Sequence, residues 1–590
     1  MKQFIKYITY IILPILALAC HDELNLYPQD ELTEATSFES YDNVKTYAWA
    51  FYETFPAYDG APLSEPTGKD ADADLIQWGR WSEGNDYLWD RYKVPTASDD
   101  WDEPYSNIRS INIMLDNLEN SEMSERDRNH WRSVGLFFRS YEFFDLLKRY
   151  GGVPWLEHAI TDADEDILFG PRNSRDEVAS NILRDLVWAA EHIKPDGDGP
   201  NTINQDVVNA LLSRFGLFEG TWRKYHELGD YEEFLEASIE ASEAVMENNT
   251  TLHDNYDEVF NSESLAGMNG ILLYKRYVED ELHHLGATNY RSSNSAFDIT
   301  RKGIDKFLCR DGKTVHHSPL FGGYTDKYAE FRDRDIRLYF LTPPPYKVNK
   351  LGAQSWEHTG EETDREYFYE MERISGPMNK ELPDLNWNGN VVSEVPNFEE
   401  AVFNRTWNGY RFWKIYNELN TGRSSADFAD APIFRLGEVL VNYAEAMFEM
   451  GRFDQSVADI SINPLRERGE VAPMNLGDIT ADFDPSRDPE VDPVLWEIRR
   501  ERAVELMGDG FRREDLRRWK KMDYATEVKL GRWIRQGDYE SSIHIQGDAQ
   551  EGFVQVVRGT PPAFPEHYYL FPIPAEQIAM NPSLEQNPGW

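Results

Sequence analysis

Residues 227–237 read ELGDYEEFLEA, and residues 449–459 read EMGRFDQSVAD. Each places a glycine, one spacer and an aromatic ring between two amphipathic stretches: Gly229 with Tyr231, and Gly451 with Phe453. That spacing predicts helical hairpins of the tetratricopeptide kind. One helix pair cannot bury its apolar face alone, so such pairs stack. The expected fold class is therefore mainly α, a tetratricopeptide-like helical body with a loop-rich, irregular second subdomain.

Working outward, Val207 to Tyr225 and Tyr231 to Met246 supply the first hairpin. Residues 431–468 supply the second, and 493–521 continue in helix. Upstream, WRSVGLFFRSYEFFDLLKRY (131–150) puts Val134, Phe137, Tyr141 and Phe144 on one face. Gly151, Gly152 and Pro154 stop it. Tyr41 to Phe55 and Ser174 to His192 also read as helices, the latter with Arg184 and Asp185 outward. Residues 59–104 read as irregular, punctuated by Pro62, Pro66, Gly68, Gly79, Gly84 and Pro95. From about 255 to 430 the helical period fades among Gly, Pro, Asn and Trp, which predicts the looped subdomain. The tail from 526 is mixed, with a strand pair expected around Ile543-His544-Ile545 and Phe553 to Val557.

The N-terminus carries a short basic region, Lys2 and Lys6, then the apolar run YITYIILPILALA from Tyr7 to Ala19. That run suits a signal peptide and is shorter than the roughly 18 apolar residues of a membrane span. Ala17-Leu18-Ala19 fits ordinary cleavage, and the same residues precede Cys20, where a bacterial lipoprotein carries its lipid. A lipobox has Leu three positions before the Cys, where this chain has Ala17. Asp22 and Glu23 resemble a surface-export signal and favour lipidation at Cys20. Residues 23–39 then read as a tether. Cys309 is left to be a small buried apolar residue.

The net charge is -45 over 590 residues, and removing residues 1–19 takes away two lysines and no acid. Such a chain repels nucleic acid and has no basic stripe to offset that. Aromatics at 13% exclude a disordered acidic chain and suit a neutral partner such as carbohydrate.

Four blocks resemble the SusD/RagB family. The first is WDEPYSNIRSINIMLDNL (101–118) with FFRSYEFFDLLKRYGGVPW (137–155). The second is RNSRDEVASNILRDLVWAA (172–190). The third is FRLGEVLVNYAEAMFEMG (434–451) with INPLRERG (462–469). The fourth is LWEIRRERAVELMGDGFRREDLRRWK (495–520), closed by YYLFPIPAEQIAMNPSLEQNPGW (568–590). The resemblance covers nearly all of the chain after the signal. It implies a SusD-like fold in an outer-membrane surface lipoprotein that captures oligosaccharide, or peptide in some members. It also implies a SusC-like TonB-dependent transporter as partner. The expected organisation is 1–19 signal peptide, 20–39 lipidated Cys and tether, 40–300 N-terminal helical region, and 301–590 C-terminal region. Within the last, 301–430 is loop-rich, 431–521 helical and 526–590 a closing tail.

Arg499 to Arg518 holds seven arginines interleaved with Glu501, Glu505, Glu514 and Asp515, which reads as local ion pairing. Glu514 reaches Arg517 and Arg518 at i+3 and i+4. No HExxH zinc site or G-x-S-x-G elbow occurs, and the adjacent pairs His283-His284 and His316-His317 do not share a helix face. Two runs tempt a calcium reading, Asp70/Asp72/Asp74 and Asp162/Asp164/Asp166, but Leu75 and Ile167 stand where an EF-hand loop needs glycine. The expectation is no enzyme and no cofactor, with incidental calcium left open.

The aromatics carry the binding expectation. A sugar ring laid on an indole buries ~100 Å2 and gains ~2.5 kcal/mol. Two segments are the candidates, because loops on a rigid scaffold carry most recognition. In 70–92 they are Asp74, Trp78, Arg80, Trp81 and Trp89; in 281–295 they are His283, His284, Tyr290 and Arg291. A glycan binder should gather aromatics in a groove. A surface glycosidase should set two carboxylates across it, and a protein-binding scaffold should show an open concave helical surface instead.

Overall fold

The computed structural model describes residues 38–590 except 57, 59–65, 79–84, 162, 285, 287–296, 353–354, 359–360, 375–389, 396–397, 399–405 and 417–426. The signal peptide, Cys20 and the tether before Phe38 lie outside the described residues.

The body is built from α1 (Tyr41–Ala48), α2 (Asp99–Asn117), α3 (Glu125–Tyr150), α4 (Arg175–His192), α5 (Gln205–Tyr225) and α6 (Glu232–Asn248). Consecutive members pack on each other: α2 on α3, α3 on α4, α4 on α5, and α5 on α6. The second hairpin is α8 (Leu436–Glu449) with α9 (Gln455–Ser461), and α8 packs directly on α6 and α5. The two stretches quoted at the outset are thus neighbours in one stack. Gly229 (φ 77°) and Gly451 (φ 69°) both turn in the left-handed region, which explains why glycine occupies both places. At Gly216 an added Cβ would meet the Phe234 carbonyl oxygen at 2.5 Å, so α6 can approach α5 only over a missing side chain. Polar groups trapped between the helices are matched: Ser213 shares a hydrogen bond with Ser242 at 2.8 Å and receives one from Asn442 at 3.1 Å.

Helix α3 is buried on nearly every side. Phe138, Phe143, Leu146 and Leu147 are as inaccessible as the face predicted from periodicity. A helix enclosed all round belongs at the centre of a body, not on its surface. Helix α4 starts on a capping box, with Ser174 and Glu177 each accepting the other's backbone N–H. Asp185, expected outward, is buried and takes Arg139 at 2.6 Å and Arg184 at 2.8 Å. Helix α2 begins at Asp99, inside the stretch expected to be irregular, and tolerates Pro104 within its second turn.

The loop-rich part from 301 to 430 is not without helix: α7 (Glu362–Ile374) runs there. Short strands surround it. β1 (Ile76–Trp78) pairs antiparallel with β3 (Phe297–Ile299), and β2 (Ile271–Lys275) with β7 (Ala431–Arg435). β4 (Tyr346–Gly352) lies between β5 (Ser355–His358) and β6 (Asn390–Val395). In the tail, β8 (Trp533–Arg535) pairs with β9 (Glu551–Phe553), and Ile545 bridges Val554 beside them. The expected pairing of 543–545 with 553–557 is therefore reduced to that bridge. A second apolar core, including Phe297, Ile304, Tyr339, Phe412 and Trp413, sits under these loops.

Helices α10 (Asn463–Arg468), α11 (Pro493–Glu505) and α12 (Arg512–Arg518) carry the arginine-rich blocks. The expected i+3 pair forms, Arg517 to Glu514 at 2.6 Å, but Arg518 turns to Glu445 and Asp515 instead of Glu514. The network is buried and long-range, not a solvated helix face. Arg502 meets Asp515 at 2.8 Å, and Arg337 reaches Glu501 at 2.7 Å and Glu505 at 3.2 Å.

This network sets the acid stability. Burial pushes Glu445 and Glu514 up, but Arg518 beside the first and Arg517 and Arg513 beside the second outweigh it and hold both at about 2. Asp74, Asp484 and Glu505 are likewise held below their usual range by arginines, against burial. A depressed carboxylate stabilises fully above its unfolded value and loses that contribution as pH falls through its folded value. His130 and His226, pushed by burial to about 4, add the same sign of loss below the usual histidine range. Stability is therefore expected to hold near neutrality and to fall steeply between about pH 4.5 and 2. Tryptophan fluorescence along an acid titration reads this, and unchanged stability down to pH 2 would refute it.

Candidate functional site

Asp70, Asp72 and Asp74 fasten the first candidate segment to the body. Asp70 accepts the backbone N–H groups of Gly508, Gly510 and Arg512 at 3.0, 3.1 and 2.8 Å. Asp72 accepts from Asn85 at 2.8 Å and pairs with Arg513 at 3.2 Å. Asp74 takes the Arg512 fork at 2.7 and 2.9 Å. These three carboxylates thus engage the turn before α12, α12 itself, Lys302 and Asn85.

So fixed, β1 sets Trp78 opposite Phe297 in β3. Residues 79–84 leave the ribbon at Trp78, and 287–296 enter it at Phe297. The two segments singled out from the sequence, 225 residues apart at their far ends, therefore meet at the same end of one two-stranded ribbon. Asp298 holds the base of this ribbon, accepting from Thr406 Oγ1 at 2.9 Å and from the Trp407 and Asn408 N–H groups at 2.8 and 3.0 Å.

A shallow recess, open to solvent, lies against the ribbon. Trp78, Trp89 and Leu88 line it, with Gln77 and Lys529 as polar groups and Val557, Gly559 and Pro561 from the tail. Trp78 leans on Phe297 with ring centres 4.9 Å apart. The turn that carries Trp89 is held by Asn85, whose side-chain oxygen accepts the Leu88 N–H at 2.9 Å. A Cβ on Gly559 would lie in ordinary van der Waals contact with the Trp89 ring at 3.5 Å, and the φ of 106° is what favours glycine there. Gln77 is 2% exposed, and its Nε2 has no partner among the described residues. A buried, unmet N–H donor beside two indoles is costly unless something arrives to accept from it.

The candidate residues divide accordingly. Trp78 and Trp89 are brought together in the recess. Asp74 faces inward to Arg512 and Lys302. His284 is buried between Tyr58 and Tyr277; its Nδ1 accepts the Gly286 N–H at 2.9 Å and its Nε2 meets the Ala429 carbonyl at 3.0 Å. Both ring nitrogens are thereby used in holding the loop base. His283 is exposed. Arg80, Trp81, Tyr290 and Arg291 lie outside the described residues. Sequence reasoning did not single out Gln77, Lys529 or the tail residues 557–561. Their only signal is proximity, which arises from a tail more than 400 residues away.

The profile of the SusD family matches residues 242–590. The chain belongs to the SusD family. A second family, described as starch-binding and associating with the outer membrane, matches residues 27–217. No curated protein sequence matches this SusD-family chain. Its fold is shared with solved structures. A SusD-like protein from Bacteroides fragilis superposes with a TM-score of 0.65 at 19% identity, over 96% of this chain and 100% of that one. A SusD-like carbohydrate-binding protein, also from Bacteroides fragilis, gives 0.67 at 17% identity, over 93% and 100%. The surface glycan-binding protein A from Bacteroides fluxus gives 0.57 at 15% identity, over 94% and 100%. The mainly α, tetratricopeptide-like fold is thus that of the family. Among the described residues no helix is long and apolar enough to cross a membrane.

Proposed function

We propose that this SusD-family chain is a cell-surface lipoprotein that captures oligosaccharide and delivers it to a SusC-like TonB-dependent outer-membrane transporter. The observation that carries the reading is the ribbon end. It joins the two candidate loops beside a recess with two indoles and an unmet buried donor. Stacking platforms with a few fixed polar groups suit a sugar, whose ring has an apolar face and hydroxyl edges. The carbohydrate-binding and glycan-binding relatives of the same fold support it. Among the described residues that line the recess Glu527 is the one carboxylate, which favours a binder over a glycosidase with two acids across a groove.

Binding tests it. One platform supports only near-millimolar affinity, ~4 kcal/mol, and two along a chain reach micromolar. Trp81→Ala is expected to weaken oligosaccharide binding tenfold or more, ~1.4 kcal/mol, with a nearly unchanged melting temperature. Calorimetric titration of the variant checks this. Normal binding, or a loss of stability in step with binding, would place Trp81 in the core and remove it from the site. The transporter is tested by gentle detergent extraction and affinity purification, where recovery without a large barrel protein counts against delivery.

A further inference from the structure

Beyond the recess lies a larger, open cleft of about 600 Å3, and the two share Glu527, Val528 and Lys529 as a common wall. Trp496 and Tyr524 face the cleft, and its charged lining sets six cations, Arg301, Lys302, Lys306, Arg500, Lys521 and Lys529, among six acids. The question is whether every one of these cations has an acid.

Most of these cations have carboxylates. Arg301 is held by Asp305 and Glu330, and Arg500 by Asp484 and Glu497. Lys521 pairs with Asp488 at 2.9 Å and Glu490 at 2.8 Å. Lys302 reaches Glu527 at 3.1 Å and Asp74 at 3.4 Å. Lys529 gives its protons to the carbonyls of Ala71 and Ile76, each at 3.3 Å.

Lys306 is the exception. It is 6% exposed, and among the described residues it has no ion pair and no hydrogen bond from its ammonium. Its close company is the Trp496 ring, 4.1 Å from Nζ to the ring centre. Burial first, then Arg500, Arg512 and Lys302, pushes it down to about 7, with only Asp74 opposing. Lys529 is likewise pushed down by burial, to about 8. The acids on the rim do not cancel this floor, because Asp74, Asp305, Asp488, Glu490 and Glu527 are already engaged by the cations named. Asp523 remains, and burial raises it above its usual range. A neutral hydroxyl could accept one N–H from Lys306 but would not relieve the crowding of positive charge. An anion would do both, and would restore the full charge of the lysine as it bound.

We propose that this cleft receives an anionic substituent of the captured glycan, a carboxylate or a sulfate ester, with Lys306 as its principal cation and Trp496 and Tyr524 as flanking walls. The inference rests on the oligosaccharide reading above and narrows it to acidic glycans. The shared wall at 527–529 makes the recess and the cleft parts of one extended surface.

The test titrates the full soluble chain with three probes of matched length: an oligogalacturonate, a sulfated chondroitin oligosaccharide and a neutral malto-oligosaccharide. At least one acidic probe is expected to bind ten times or more tightly than the neutral one, and which of the two does so names the substituent. Lys306→Met keeps the stem over Trp496 and deletes the charge. It is expected to lose that preference while melting within about 2 °C of wild type, since removing an unpaired buried charge does not weaken a fold. Lys306→Arg should keep at least part of it. If the neutral probe binds and neither acidic one binds more tightly, this inference fails and the oligosaccharide reading stands. If none of the three binds, both fail. If an acidic probe is preferred but Lys306→Met keeps the preference, the assignment of Lys306 and its cleft is overturned. The wild-type comparison decides the matter even where a variant does not fold.

Discussion

Glu505→Ala is expected to destabilise the chain by ~3–5 kcal/mol, the cost of removing the shared carboxylate from a buried ion-pair network. Glu505 is fully buried near the end of α11. Arg468 reaches it at 2.6 Å, Arg337 at 3.2 Å, and Arg435 closes the third side. Burial alone would push this acid up; the three arginines overcome that and hold it below its usual range. One carboxylate thus ties α10, α11, β7 and the segment at Arg337 into a single knot. Truncation would leave Arg468 without a carboxylate beside a cavity, while Arg337 keeps Asp335 and Glu501 and Arg435 keeps Asp509. Glu505→Gln keeps the shape and removes the charge, so it should fall between the alanine variant and wild type. The contrast is Arg452 with Glu236, a pair 41% exposed on each side, whose loss should cost under ~1 kcal/mol. Denaturant unfolding measures all three. A Glu505→Ala variant within ~1 kcal/mol of wild type would mean the knot is slack, and the structural reading of the arginine blocks would fail with it.

How far the sequence shows this molecule depends on the range over which each residue acts. Gly229 and Gly451 are legible because a left-handed turn is a local demand, written beside the ring that follows it. The hairpins they close could therefore be read, and so could their stacking. Asp70, Asp72 and Asp74 are illegible for the opposite reason. Their partners, Gly508 to Arg513, stand some 440 positions away, so a structural clamp looks like a metal loop or a ligand rim. Arg518 shows the same limit within one helix. Glu514 is in reach by spacing, yet Glu445 from α8 wins because both are buried there together.

The candidate site is legible in part, for a similar reason. Tryptophan in polar loops points to Trp78 and Trp89, and the pairing of β1 with β3 supplies the junction that no local pattern encodes. His284 misleads because a histidine in a loop looks available, whereas Tyr58, Tyr277 and the Ala429 carbonyl enclose it. Lys306 misleads in the other direction. It carries no signal in the sequence, and only its burial against Trp496 without a carboxylate among the described residues sets it apart.

Cys20→Ala is expected to move the protein from the membrane wholly into the aqueous phase. The apolar run from Tyr7 to Ala19 ends one residue before Cys20, so cleavage there would expose the thiol-bearing residue as the new N-terminus. Each buried CH2 of an acyl chain contributes ~0.8 kcal/mol, and one chain alone binds only marginally. Stable retention therefore needs the several chains of a lipoprotein anchor, all of which depend on this one residue. No second attachment competes with it among the described residues, where no helix can span a bilayer. A chain of net charge -45 gains nothing from an anionic lipid surface. On the proposed function the consequence reaches transport, because a lipid tether would keep the body at high effective concentration near the proposed barrel partner. A modest docking contact can then open and close without losing the protein to the medium. Detergent phase partitioning separates the outcomes: wild type in the detergent phase and the variant in the aqueous phase. A variant that stays with detergent would show that something other than lipid at Cys20 holds the chain, and the lipoprotein proposal would be withdrawn.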